Sequence, residues 1–227
     1  NGGRLFKTSG TNPETGWEED AIASSPTAPL YDLIDFAGAL ICPTSTNLSR
    51  LASGTWTANW WSSLSGASAL SANPHRFAKL AGSLIFTDGR FINSYDGTIA
   101  RDPHLTLPLG FRGEGIVVFR DLAFIFGANI VGEEAEVFAW DGIQGNYNAR
   151  YPVGDTEVYA VFVIDSVYII TRKGLIKRFN GTGFETVQQF PTVETKGELT
   201  AIHPNGVSVS ENIAKIFVNF GGVSTDR

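Results

Sequence analysis

The chain of 227 residues has no methionine, a single cysteine, three histidines and only 17 Lys and Arg against 23 Asp and Glu. Without Met it does not begin at its own initiator, so Asn1 is expected to be a cut, a processed end or the edge of a longer protein. One cysteine, Cys42, excludes an internal disulfide framework, and its setting in ALICPT reads as a buried strand position. A net charge of -6 and a pI near 5.1 argue against nucleic acid as a partner, because that binding rests on clustered Lys and Arg. No apolar run reaches the roughly 18 to 20 residues of a membrane-spanning helix, so no membrane span is expected. Helix formers are never arranged with helical periodicity; the longest non-strand stretch, Ser62 to Ala72, is small and contains Gly66, as an extended connection or one short turn would.

What is abundant is short β-like runs. Apolar residues make up 43% and aromatics 12%, which excludes disorder, and a chain this long buries roughly 70 to 75% of its unfolded surface. From Gly115 to Gly142 three apolar runs, Ile116 to Phe119, Leu122 to Phe126 and Val137 to Trp140, are separated by Arg120-Asp121 and a polar loop and closed by Asp141-Gly142. Runs of this length, bounded by turn residues, predict consecutive antiparallel strands. The same unit recurs from Arg76, closing at Asp96-Gly97, from Val158, closing at Asn180-Gly181, and more weakly from Tyr31, closing at Ser53-Gly54. With Gly10, the closing glycines Gly54, Gly97, Gly142 and Gly181 are spaced by 44, 43, 45 and 39 residues. A large apolar residue follows each: Trp17, Trp56, Ile99, Tyr147 and Phe184, read as the start of a fourth, outer strand.

A period of about 40 to 45 residues with four strands per unit is the pattern of a β-propeller, whose blades stack around a channel. Complete units are expected at 29–71, 73–107, 115–153 and 156–191. The stretch 3–23 matches a third and fourth strand, and 199–220 a first and second. The expected fold is therefore all-β: a single domain over 1–227 with five four-stranded blades, the N- and C-terminal strands completing one blade by distant pairing.

Chemistry finds little foothold. His75, His104 and His203 lack ligand spacing, and His75 and His104, beside inter-blade prolines, read as exposed loop residues; no metal and no cofactor is expected. A glycosidase needs two carboxylates about 5 to 10 Å apart. Asp32, Asp35, Asp88, Asp96, Asp121, Asp141, Asp155 and Asp165 are available, but nearly all fall at predicted turns, where Asp serves the backbone. Sialidase-like propellers carry a Ser-x-Asp-x-Gly-x-x-Trp turn, which Ser53-Gly54-Thr55-Trp56 does not reproduce.

Recognition has better candidates. In TWTANWW, strand alternation does not bury Trp60 and Trp61 on one face, so one of them is expected to face outward, towards a sugar or a protein; the alternative is that the 62–72 connection covers both. The loops joining second and third strands gather on one face of a propeller, which makes Arg90, Asn129, Glu133, Arg172 and Lys173 candidates for a contact patch, or else members of a solvated rim.

The strand ends LFKTSG, FINSYDG, VFAWDG and IKRFNG, preceded by SLIF, LAFIF and VYII, resemble β-propeller repeat proteins and look closest to the propeller modules of tailed-bacteriophage virion proteins. Neither a WD pattern nor a kelch double glycine is repeated. The resemblance implies a non-enzymatic structural and binding module, a virion structural or tail-associated protein located in a virion or extracellularly. Its partners would be other structural proteins of an assembly, in multiple copies. Two alternatives stand beside it: a carbohydrate-binding, lectin-like propeller that takes a surface glycan, and a glycoside hydrolase.

Overall fold

The computed structural model describes residues 32–44 and 46–189 with their side chains, and the strand backbones of 6–8, 17–19, 201–210 and 213–219. The described chain is all-β apart from one 3-10 turn, Trp61–Ser63. Four antiparallel sheets of four strands follow one another. The first holds β3 (Ile34–Phe36), β4 (Ala39–Pro43), β5 (Leu48–Ala52) and β6 (Thr55–Thr57). The second holds β7 (Phe77–Leu80), β8 (Ser83–Asp88), β9 (Phe91–Tyr95) and β10 (Ala100–Thr106). β11 (Phe111–Phe119), β12 (Leu122–Asn129), β13 (Glu136–Trp140) and β14 (Ala149–Pro152) make the third. β15 (Val158–Val163), β16 (Val167–Thr171), β17 (Leu175–Phe179) and β18 (Phe184–Gln189) make the fourth. Two further ladders, β1 (Phe6–Thr8) with β2 (Trp17–Glu19) and β19 (Ala201–Ser210) with β20 (Ile213–Asn219), come from the two ends of the chain.

Every sheet is a meander, so neighbours in sequence are neighbours in space. The innermost strands adjoin in chain order, β3 to β7, β7 to β11, β11 to β15 and β15 to β19. This radial succession is the β-propeller the repeat period predicts.

The strand sequences explain the stacking. In LAFIF (122–126) successive side chains point to opposite faces. Ala123 and Ile125 pack with Leu80, Ile85 and Ile92 of the second sheet, whereas Phe124 and Phe126 pack with Val167 and Ile169 of the fourth. Both faces are buried, so the strand is apolar at every position rather than at alternate ones. β8 behaves likewise: Leu84 and Phe86 turn to Phe36, Ile41 and Trp61, and Ile85 turns to the third sheet. Among the described residues the core is thus three layers between sheets, each held by side chains contributing about 1.5 to 3 kcal/mol on burial.

Turn chemistry sets the hairpins. Ala37-Gly38, Ser53-Gly54 and Ala81-Gly82 have φ of 50 and 71°, 50 and 76°, and 48 and 79°, the primed turn whose twist matches the strands. At the other closing turns the residue before Gly works through its side chain. Asp96 Oδ1 accepts the N–H groups of Thr98 and Ile99 at 2.9 and 2.8 Å, Asp141 Oδ1 that of Ile143 at 2.9 Å, and Asn180 Oδ1 those of Thr182 and Gly183 at 3.0 and 3.1 Å. Cys42 is buried as predicted, and burial pushes its thiol up to about 11.

Candidate functional site: the connector face

Because each of the four complete sheets is a four-stranded meander, the loop between its second and third strands lies on the same side as the connection to the next sheet. The backbone ties the two together. Leu70 N–H donates to Thr46 O at 3.2 Å, Leu107 N–H to Arg90 O at 2.8 Å, Ile130 N–H to Gly110 O at 2.8 Å, Ala135 N–H to Asp155 O at 2.8 Å and Arg172 N–H to Glu157 O at 3.1 Å. Buried polar side chains add pins. Asn47 Oδ1 accepts Ser62 N–H at 3.2 Å, Asp88 accepts Ser71 N–H at 3.1 Å and Asp155 Oδ2 accepts Lys173 N–H at 2.9 Å. The loops of this connector face are therefore part of the folded framework.

On this face the chain leaves large aliphatic side chains in water. Leu109 is 85% exposed, Ile130 65% and Val131 71%. Leu109 lies in the connection between the second and third sheets, and Ile130 and Val131 in the loop after β12; the Ile130 to Gly110 bond holds the two segments side by side. Asn129 shapes the loop by accepting Val131 N–H on its side chain at 3.0 Å and Gly132 N–H on its carbonyl at 3.1 Å. Between the segments is an open groove of about 490 Å³ whose lining includes Leu109, Phe111, Val131, Glu133, Glu134 and Arg150. Arg150 is committed to Glu136, and Glu134 accepts the backbone N–H of Gly154. Glu133 has no cation within ion-pair distance among the described residues.

Between β11 and β15 a cavity of about 210 Å³ is lined by residues of both strands, among them Glu114 and Tyr159, and by Asp32 and Arg76. Burial lifts the Asp32 carboxyl above its usual value, although Asp32 accepts the N–H groups of Phe77 and Leu33, both at 2.8 Å. Glu114 pairs with Arg112, and Arg172 with Glu157 at 3.1 Å. Asp32 and Glu114 share the cavity, but both are held by partners of their own. Elsewhere Asp35 pairs with Lys79 at 3.4 Å and Asp165 with Arg178 at 2.7 Å. Hydrogen bonds from Asn148 and the backbone of Ile143 hold Asp141 below the usual carboxylate range. Among the described residues no three His, Cys, Asp or Glu side chains converge as a metal would require.

The sequence candidates divide. Asn129 and Glu133 meet in the groove, and Asn129 and Arg172 border a neighbouring hollow of about 240 Å³. Arg90 is half-buried with its guanidinium 5.7 Å from the Phe91 ring, and the Lys173 side chain is exposed; neither lines the groove. Trp60 and Trp61 correct the outward-facing expectation: they are 7% and 0% exposed. They are not on a strand, because β6 ends at Thr57 and the chain turns through Asn59, φ 52°, into the 3-10 turn. Trp60 meets the Tyr95 ring edge-on at 5.3 Å, and Trp61 the Phe86 ring at 4.8 Å. The covering connection is the alternative that holds. His75 is also corrected: it is 1% exposed, with Nδ1 2.8 Å from Thr87 O, and His104 is half-buried against Trp140. His203 lies outside the residues whose side chains are described.

Sequence reasoning missed Leu109, Ile130 and Val131. The signal was available: apolar residues inside turns, at Pro108-Leu109-Gly110 and Asn129-Ile130-Val131-Gly132, have no strand face to pack on.

No family model and no curated protein matches the chain. Solved structures do. The extracellular domain of the putative hybrid two component system BT3049 from B. thetaiotaomicron matches 80% of this chain and 24% of its own at a TM-score of 0.57 and 15% identity. The N-terminal domain of Nup159 matches 91% of this chain and 66% of its own at 0.54 and 12% identity. A complex of S. cerevisiae dbp5 bound to nup159 and gle1 matches 86% of this chain and 62% of the other at 0.51 and 11% identity. The chain thus spans between a quarter and two-thirds of the structures it matches, and at these identities the likeness is one of fold. That fold is the β-propeller.

Proposed function

We propose that the chain is a non-enzymatic structural and binding module that docks a protein partner on its connector face, as a tail-associated or other structural component of a virion. The observation that carries this reading is the exposed cluster of Leu109, Ile130 and Val131 on loops fixed by the backbone and by Asn129. Exposed aliphatic groups held in place lose water without losing much conformational entropy when a partner covers them. The commitment of Asp32, Asp88, Asp141 and Asp155 to backbone donors supports a non-enzymatic role. Nup159, similar in fold, is bound to dbp5 in a solved complex, which is consistent with a protein partner. The virion setting rests on the resemblance of the strand ends.

Cysteine-directed cross-linking tests it. Cys42 is buried, so Val131→Cys supplies one accessible thiol on the connector face and Thr98→Cys one on the opposite face. In the native source a photo-cross-linker at residue 131 is expected to capture a neighbouring structural protein and one at 98 to capture none. Capture from 98 alone would place the interface on the other face and end this reading.

One further cleft favours the lectin-like alternative as a second reading. On the hairpin face, between the third and fourth sheets, Phe119 and Phe179 stand beside Asp165, Arg178 and Asn180 around about 290 Å³. Half-buried rings next to planar polar groups suit a sugar. Glycan-array binding that is lost on Phe119→Ala would support it; binding indifferent to that change would remove it.

A further inference from the structure

The connector-face groove carries more than apolar surface, and its charge specifies what fills it. We infer that it receives a basic amphipathic segment of a protein partner, with aliphatic side chains laid on Leu109, Ile130 and Val131 and a Lys or Arg reaching Glu133; this rests on the connector-face reading of the function. Three observations lead there. The groove lining holds three carboxylates, of Glu133, Glu134 and Glu136, and one cation, Arg150, so its surplus is negative. Arg150 is already spent on Glu136, in hydrogen bonds from both Nε and Nη2. Glu134 is turned onto the Gly154 N–H, which leaves Glu133 as the carboxylate with no ion-pair partner among the described residues. A partner that covered Leu109 and Val131 with neutral or acidic groups would strip water from Glu133 without replacing it. A cation placed there replaces that water with a charge-assisted hydrogen bond.

The loop is built to present these groups together. Gly132, at φ 80°, turns the chain directly between Val131 and Glu133, and the Asn129 side chain fixes the residue before it. An apolar contact and a carboxylate are thereby set on adjacent sides of one tight turn. An amphipathic segment presents the same combination, apolar residues interleaved with cations, and needs a groove already formed. The chain's net charge of -6 draws basic segments from a distance but does not place them; placement is the task of Glu133.

The probes are two fluorescent peptides of about twelve residues, identical in their Leu and Ile positions and differing only in carrying Lys or Glu between them. Their binding to the whole chain is read by anisotropy at about 0.15 M salt, where surface fields reach only about 8 Å. The Lys peptide is expected to bind at least about tenfold tighter than the Glu peptide. Val131→Ser should weaken the Lys peptide, and Glu133→Gln should remove most of its advantage while leaving the melting temperature unchanged, since both side chains are exposed. Equal binding of the two peptides, no binding of either, or a Lys preference untouched by Glu133→Gln would overturn the inference. Capture from residue 131 in the cross-linking experiment, alongside any of those results, would leave the connector face as the interface and dismiss only the basic segment.

Discussion

Trp61 shows what a residue of this chain is asked to do. It has no exposure, meets Phe86 edge-on at 4.8 Å, and its Nε1 donates to Asp102 at 3.4 Å. Trp61→Ala therefore empties a packed site and is expected to cost about 3 to 5 kcal/mol in urea unfolding; a loss below about 1 kcal/mol would show that the connection does not depend on it. Asp32 offers a test in pH. Burial outweighs its backbone hydrogen bonds and raises the carboxyl above its ordinary value. The folded chain then holds this proton more tightly than the unfolded chain does. The stabilising contribution is full below the unfolded value of about 3.9 and is lost as pH rises through the raised folded value. Measured against Asp32→Asn, which does not titrate, the unaltered chain should lose stability across that window and then level off. A difference between the two that is independent of pH would contradict the assignment.

At the scale of the element, the β11–β12 hairpin is the informative case. Its two-residue turn, Arg120-Asp121, has φ of 50 and 60°, yet neither residue is glycine. Left-handed backbone costs a residue with a side chain about 1 to 2 kcal/mol, less for Asp. The residues flanking the turn are half-buried and packed on both faces, Val118 against one layer and Val117, Phe119 and Leu122 against the other, and their packing holds it in the primed form. Replacing the pair by Arg120→Asn with Asp121→Gly should add about 1 kcal/mol and raise the melting temperature by roughly 2 to 4 °C. A lower melting temperature would mean that the stacking of the Arg120 guanidinium on Phe119, at 4.9 Å, outweighs the backbone strain. This hairpin was legible in the sequence because Ile116–Phe119 and Leu122–Phe126 are unbroken apolar runs around two polar residues. The 3-10 turn at Trp61 was not, because the alternation rule applies only while the strand continues, and β6 stops after three residues.

Closure of the ring belongs to the scale of the whole molecule. β19 follows β15 around the axis as the next innermost strand, and β1 with β2 is a ladder of the kind that would complete its sheet. If the two ladders share one blade, the ring is closed by hydrogen bonds between the ends of the sequence, and every inter-sheet layer depends on it. Deleting residues 1–23 is then expected to abolish the cooperative melt. A truncated chain that keeps its melting temperature would show that the four complete sheets stand without them.

The sequence by itself determined the repeat, the strands and the turns, because these depend on neighbours along the chain: Asp96 and Asp141 before their glycines serve the backbone turns in which they lie. It also placed Glu133 on a loop, since nothing apolar and periodic runs through it, whereas Asn129, read as part of the same loop, is the last residue of β12. Only the tertiary structure decided which side chains those loops hide and which they offer. Trp60 and Trp61 sit in a connection, yet Phe86 and Tyr95 of the next unit cover them, and His75 is buried against β8 of its own sheet; Leu109, Ile130 and Val131, as apolar as the core, remain in water because no part of the described chain packs over them. Burial in a loop is fixed by residues distant in sequence, and local pattern carries no record of them.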